Sequence, residues 1–461
     1  MFNQKNKVTR ADYEQWRAGQ DETAGRIASD PDRLLFHVEP ELGWLNDPNG
    51  LVQIGDTYHI YHQYDPFDAA HGGPVLWNHL TTKDFVTYEN HGPALFPDSD
   101  LDSNGAYSGS AFVRDGKIHY FYTGNVKHFD RDDYDYVLTG REQNQIHMVA
   151  ENPDELGEKC IAVGPVDYPD DIGTHVRDPK ILEHDGIYYM VLGARTKDDR
   201  GCVLVYTSSN LEDWSYATRI ELGEKFGFMW ECPDLFQLDG QWFLAVSPQG
   251  IECQNVYGCG YFPIYGDWRR DCTLGDFHHT DLGFDYYAPQ SFTDETGRRI
   301  QIGWMGMPDA AYGNAATVAY GWQHCMTIPR VLTRDNAGHI LQNPVSELAA
   351  RRGAAVTATD GAEQAVDACF DLVAAPGGDF SLGFDGGLTL AYSDANRTCC
   401  LTFTDAAMSG GRTSRCVVLD APCRRLRVVE DASSLEIFLN DGAAVLSTRY
   451  YPAGRQVTLR P

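Results

Sequence analysis

At 461 residues, with 43% hydrophobic and 12% aromatic side chains, the chain has material for more than one packed core. A formal net charge of −29 argues against nucleic acid or an anionic membrane surface as a partner, because both need clustered Lys and Arg. No stretch reaches the roughly 18 apolar residues of a bilayer span, and residues 1–30 lack the apolar core of a signal peptide. The twelve cysteines are scattered and include the adjacent pair Cys399 and Cys400. Without the compact spacing of a secreted disulfide scaffold, they point to a reduced, cytoplasmic setting. Cys253 and Cys259 stand too far apart for a zinc knuckle and lack a second matching pair.

Residues 1–33 read as an extension with a helix around Ala11 to Arg17, packed on the body. From 34 to 335 the pattern is short aromatic and β-branched runs punctuated by Gly, Pro and Asp, the signature of strands. Five of these runs turn at Gly55-Asp56, Asp115-Gly116, Asp185-Gly186, Asp239-Gly240 and Thr296-Gly297, and Asp-Gly between such runs predicts tight hairpins. The turn glycines recur 61, 70, 54 and 57 residues apart by subtraction. That period suits four-stranded blades with long loops, arranged radially as a five-bladed β-propeller whose innermost strands line one channel. A sandwich or barrel competes, but gives no reason for the motifs before the turns to recur in phase. Residues 336–354 turn briefly helical and read as a linker. Strand alternation returns over 355–461, clearest in Ser434 to Leu439 before the turn at Asn440-Asp441-Gly442. This predicts an all-β chain with a C-terminal β-sandwich.

Three of the five units carry a carboxylic acid upstream of the turn: Asp47, Asp178 and Glu231, which precede their turn glycines by 8, 8 and 9 residues. Asp beside Pro or Gly is also an ordinary turn former. Recurrence in phase shifts the balance, since converging carboxylates are costly unless they serve chemistry. Two carboxylates in a sugar-sized funnel suggest glycoside cleavage, one as nucleophile or base and the other protonating the leaving oxygen. Phe226, Phe228, Met229 and Trp230 precede Glu231, and an apolar surround would raise its pKa and suit it as the acid. Asp47, beside Asn46 and Asn49, is placed to stay ionised, and Arg177 next to Asp178 is expected to hold that residue as an anion. Trp44, Trp77, Tyr107, Trp230 and Tyr287 are candidate walls for a sugar. The one-residue excess at Glu231 predicts a local bulge there. The acidic run from Asp130 to Asp135 lacks the glycine and distal glutamate of an EF-hand loop and reads as solvated.

The strings from Trp44 to Gly50, Arg177 to Pro179 and Glu231 to Asp234 resemble the signature motifs of glycoside hydrolase family 32, the invertases, fructanases and sucrose-6-phosphate hydrolases. The resemblance continues through Tyr107 to Ser110, Tyr287 to Gln290, Gly303 to Met305 and Ser433 to Asp441. It implies a five-bladed propeller followed by a sandwich, and a retaining β-fructofuranosidase acting on sucrose or sucrose 6-phosphate through a fructosyl-enzyme. Asp47 would be the nucleophile, Glu231 the acid/base and Asp178 the grip on fructose hydroxyls. Asn46, Gln63, Ser108 and Arg177 match positions that contact the fructosyl unit, and neither metal nor organic cofactor is implied. Fructan or fructooligosaccharide hydrolysis and fructosyl transfer are alternatives within the family. A silent sugar-binding propeller, or the related family that cleaves arabinans and xylans, is the rival outside it. His71 stands where many secreted members have a tryptophan, which would favour a polar or phosphorylated leaving sugar. Lys127, His128, Arg131 and Arg195 are candidate phosphate contacts by neighbourhood alone. Oligomeric state and the role of residues 1–33 leave no trace in the sequence.

Overall fold

Each blade grows outward from one strand by successive antiparallel hairpins. In the computed structural model, which describes all residues except 1, 3–6, 154–155, 356–361, 368, 386, 454–455 and 461, five such sheets form the propeller. Their innermost strands are Gly43–Ile54, Ala106–Arg114, Ile172–His184, Met229–Leu238 and Tyr287–Thr293. Each touches the next and the fifth touches the first, so the ring is closed. The first blade also takes in Trp322–Gln323, which pairs in parallel with Gly43 and Trp44 and ties the fifth blade back to the first. The expected hairpins are present. At Asp115-Gly116, Asp185-Gly186 and Asp239-Gly240 both loop residues have positive φ, as a twist-matched two-residue turn requires.

Apolar faces of neighbouring blades close on one another. Tyr61 and Trp77 of blade one pack with Tyr120 and Tyr122 of blade two, and Val191 and Val203 of blade three pack with Trp230 and Leu244 of blade four. The stretch read as a linker also contributes Ile340–Pro344, the outermost strand of blade five. Its helical composition is realised only as a 3-10 segment, Ser346–Arg351. The sandwich pairs a six-stranded with a four-stranded sheet.

The sandwich docks on the propeller through buried charge. Arg330, from blade five, reaches Asp281 and Glu436, and His37 bridges Asp431 at 2.7 Å and Glu436 at 3.1 Å. Both acids are buried and held below their usual pKa despite that burial, while their contacts with His37 push it up to about 9. Among the cysteines, Cys400 and Cys416 lie directly opposite one another in an antiparallel ladder and are joined as a disulfide, a pairing the scattered spacing gave no hint of. Ten others are free. No helix of the described residues is long and apolar enough to cross a membrane.

The expected helix runs Arg10–Arg17, capped by Thr9, and a second helix follows at Asp21–Ala28. Together they pack Trp16 edge-on against Phe67 and Ile27 against Trp322.

Candidate active site

All five innermost strands carry a β-bulge, where two residues face one on the neighbouring strand. Asn46 and Asp47 face Gln63; Tyr107 and Ser108 face Thr123; Asp178 and Pro179 face Leu192. Cys232 and Pro233 face Val246, and Ala288 and Pro289 face Gly303. The bulge expected at Glu231 is therefore present, but as one of a set. Three of the bulges open on a residue in left-handed backbone, with φ of 66° at Asp178, 48° at Cys232 and 48° at Ala288. Such residues cost roughly 1–3 kcal/mol each and persist only where their surroundings over-determine them.

Measured from the bulges, the three acids are not in one phase. Glu231 stands just before its bulge, Asp178 opens its own, and Asp47 closes its own. A second bulge in blade one, between Asn49 and Val52, disguises this when residues are counted from the turns. The bulge frame explains which side chains meet. Arg177 and Tyr287 share the phase of Glu231, and both reach it. Arg177 donates from Nε at 3.1 Å and Nη2 at 2.6 Å to Oε1, while the Tyr287 hydroxyl and Gln249 Nε2 donate to Oε2 at 2.6 and 2.9 Å.

Two sequence expectations fail here. Arg177 hydrogen-bonds Glu231 and makes no hydrogen bond with its chain neighbour Asp178, whose left-handed backbone at the bulge turns its carboxylate to the Cys232 N–H. Glu231 correspondingly meets four polar donors instead of an apolar pocket. Phe226 and Trp230 pack in the core between blades three and four, Met229 is fully buried, and Phe228 lies under Arg195.

Asp47 is half-buried and sits in a relay of amides and a hydroxyl. Asn46 Nδ2 donates to Gln63 Oε1 at 2.5 Å, Gln63 Nε2 to Ser108 Oγ at 2.6 Å, and Ser108 Oγ to Asp47 Oδ2 at 2.6 Å. Asp47 Oδ1 receives only Asn46 Nδ2, at 3.3 Å, and is the freer oxygen. Burial pushes the pKa of Asp47 up, opposed by the Ser108 bond and reinforced by the charge of Glu231.

Asp178 is 4% exposed, and burial drives its pKa to about 7, against the pull of Arg177 and with the push of Glu231 and Asp47. It accepts the Cys232 backbone N–H at 2.8 Å. The Cys232 thiol lies 3.6 Å from Oδ2 of both Asp47 and Asp178 and so joins the two acids. Sequence reasoning named neither Cys232 nor Gln249 as part of the site. The position of Cys232 inside the Glu-Cys-Pro-Asp string was the only available signal.

The candidate walls divide. Trp44 lines the funnel beside Asn46, to which its Nε1 donates at 3.1 Å, and it stacks on His71 at 4.8 Å with the His324 edge at 4.3 Å. Tyr107 is half-buried at the bulge of blade two. Trp77 and Trp230 are fully buried core residues, with their indole N–H groups spent on the Tyr107 and Phe226 carbonyls. Of the proposed phosphate contacts, His128 is held by Glu142, Arg131 by Asp133 and Arg195 by Asp199, so each already has a carboxylate. The Lys127 backbone N–H donates to Asn104.

Residues 37–344 match the glycosyl hydrolases family 32 N-terminal domain, and 383–460 the family 32 C-terminal domain. The chain belongs to glycoside hydrolase family 32. It is a glycoside hydrolase with the propeller and sandwich that its motifs implied. Among its relatives, a sucrose-6-phosphate hydrolase of Bacillus subtilis (strain 168) is 36% identical over 449 residues, covering 92% of this chain and 90% of that one. A raffinose invertase of Escherichia coli is 32% identical, covering 92% and 91%. The solved structure of sucrose-6-phosphate hydrolase from Lactobacillus gasseri superimposes with a TM-score of 0.84 at 26% identity, covering 99% of this chain and 96% of that chain.

Proposed function

We propose that this chain hydrolyses the bond between a terminal β-D-fructofuranosyl unit and its leaving sugar, with sucrose or sucrose 6-phosphate as substrate. It is a β-fructofuranosidase. The observation that carries the mechanism is the meeting of three acids in distinct settings: Asp47 in a relay of neutral donors, Glu231 in a cage of four donors, and Asp178 buried beside both.

In this reading Asp47 Oδ1, the less encumbered oxygen, attacks the anomeric carbon while Ser108 and Asn46 steady the carboxylate. Glu231 passes a proton to the leaving oxygen, and its four-donor cage suits the ionised form that then activates water for the second step. Asp178 grips the fructose hydroxyls, bonds that strengthen as charge develops on the ring. Glu231 takes its proton back from the water that completes the second step, so the cycle closes with no net proton uptake.

The propeller performs the chemistry, and the sandwich over 355–461 buttresses it through Arg330 and His37. A cytoplasmic location is part of the same proposal, since a phosphorylated disaccharide is too polar to cross a bilayer unaided and is used where it is made. Fructose release from sucrose and sucrose 6-phosphate by the purified chain tests the reading; release from neither would refute it.

A further inference from the structure

Among the described residues of this acidic molecule, one buried cation is unpaired. Arg141 is 8% exposed, and among the described residues its guanidinium has neither a carboxylate nor a hydrogen-bond acceptor, lying only over the Tyr136 ring at 4.5 Å. Two residues along the same strand, and therefore on the same face, Gln143 is fully buried. Its Oε1 accepts the Val176 N–H at 2.9 Å and Arg177 Nη1 at 3.4 Å, which fixes the amide orientation and leaves Nε2 a buried donor with no partner. Buried donors are seldom left unmet, so an acceptor belongs here.

The two residues line a cavity of about 210 Å³ between blades two and three, together with Thr174, Tyr168 and Lys197, whose Nζ donates to the Asp170 carbonyl at 2.7 Å. Glu142 and Asp170 line it as well, and Glu142 is engaged by His128. The space is below the ~300 Å³ at which ordinary ligand pockets begin. It takes a substituent and not a whole disaccharide. Its place follows from Arg177, which holds Glu231 with Nε and Nη2 while Nη1 touches Gln143 and, at 3.0 Å, His175 Nδ1. His175 is neutral, pushed down to about 2 by burial and by Arg177, Arg141 and Arg195. The cavity thus lies one side chain beyond the acid/base, reached from Glu231 through Arg177 and Gln143.

We infer that Arg141, with Gln143 Nε2 and Lys197, seats the phosphate of a phosphorylated leaving sugar and makes sucrose 6-phosphate the preferred substrate. This rests on the β-fructofuranosidase reading and deepens it. It also replaces the phosphate contacts expected from sequence with one cation that has no carboxylate of its own.

The test is kcat/KM for sucrose and for sucrose 6-phosphate in the wild type, Arg141→Gln, Arg141→Lys and Lys197→Ala, each checked by melting temperature. The wild type prefers the phosphorylated substrate. Arg141→Gln loses about 10- to 100-fold on it, the range expected for a lost charge-assisted hydrogen bond, mainly through KM. The loss on sucrose is smaller by about tenfold or more, and Arg141→Lys recovers part of the difference. Equal losses on both substrates, or a wild type indifferent to the phosphate, overturn the site while leaving the hydrolase reading intact. A wild type that cleaves neither overturns both. If Arg141→Gln does not fold, the exposed Lys197→Ala variant decides by the same ratio.

Discussion

Asp178 should be a residue that the fold would be better without. It is 4% exposed, its neighbour Arg177 is turned to Glu231, and its pKa is raised from the usual 3.8 to about 7. With the folded value raised, the unfolded chain releases this proton first, so rising pH favours unfolding. The cost begins near the unfolded value and is complete above the folded one, reaching about 4 kcal/mol at 1.36 kcal/mol per tenfold change in proton affinity. Asp178→Asn removes the charge and keeps an oxygen to accept the Cys232 N–H. It should stabilise the protein by up to about 4 kcal/mol at ~pH 8 and by almost nothing at ~pH 4. An unfolding entropy of about 2.1 cal/mol/K per residue gives ~1 kcal/mol/K for a chain of this length, so the melting temperature should rise by ~2–4 °C at the higher pH. Turnover of sucrose should fall by ~100- to 1,000-fold, the usual consequence of losing one stabilising contact to the transition state. Scanning calorimetry of both proteins across that pH range provides the check. A variant that melts at or below the wild type at ~pH 8, or whose gain is independent of pH, would refute the reasoning.

Two further perturbations separate structure from function. Trp77→Ala opens the core between blades one and two and should cost ~3–5 kcal/mol in denaturant unfolding, whereas Trp44→Ala, at a half-buried ring, should cost less than that and raise KM for sucrose. His37, raised to about 9 by Asp431 and Glu436, contributes stability that is full below its unfolded value of ~6.5 and lost as pH rises through about 9. The wild type should therefore lose melting temperature between ~pH 7 and ~pH 10, and His37→Gln should flatten that slope; a parallel slope in both proteins would exclude the histidine as its source.

What could be read in the chain was local. The Asp-Gly hairpins and the three acid-bearing strings each lie within about a dozen residues, and the five-fold recurrence needs only their spacing along the chain. What could not be read depended on pairing. The bulges at 46–47 and 178–179 exist only relative to a neighbouring strand, so Asp47 and Asp178 look equivalent when counted from their turns and are not. Once the bulges are in place, the meeting of Arg177 and Glu231 follows from their shared position just before the bulge of each strand. Trp77 and Trp230 were candidate walls because an aromatic run does not reveal which of its residues face the channel. The outer strand of blade five escaped because Ile340–Pro344 is short and runs into the 3-10 segment. Cys400 and Cys416 meet only because two strands place them opposite one another.

The central claim is that Asp47 forms the covalent bond to fructose and Glu231 releases it. Glu231→Gln incubated with an activated β-fructofuranoside, whose leaving group needs no proton, should accumulate a protein heavier by one fructosyl residue. Peptide mass spectrometry should find the added mass on the peptide carrying Asp47, and it should vanish in Asp47→Asn. An adduct on another residue, or turnover that persists in Asp47→Asn, would contradict the account.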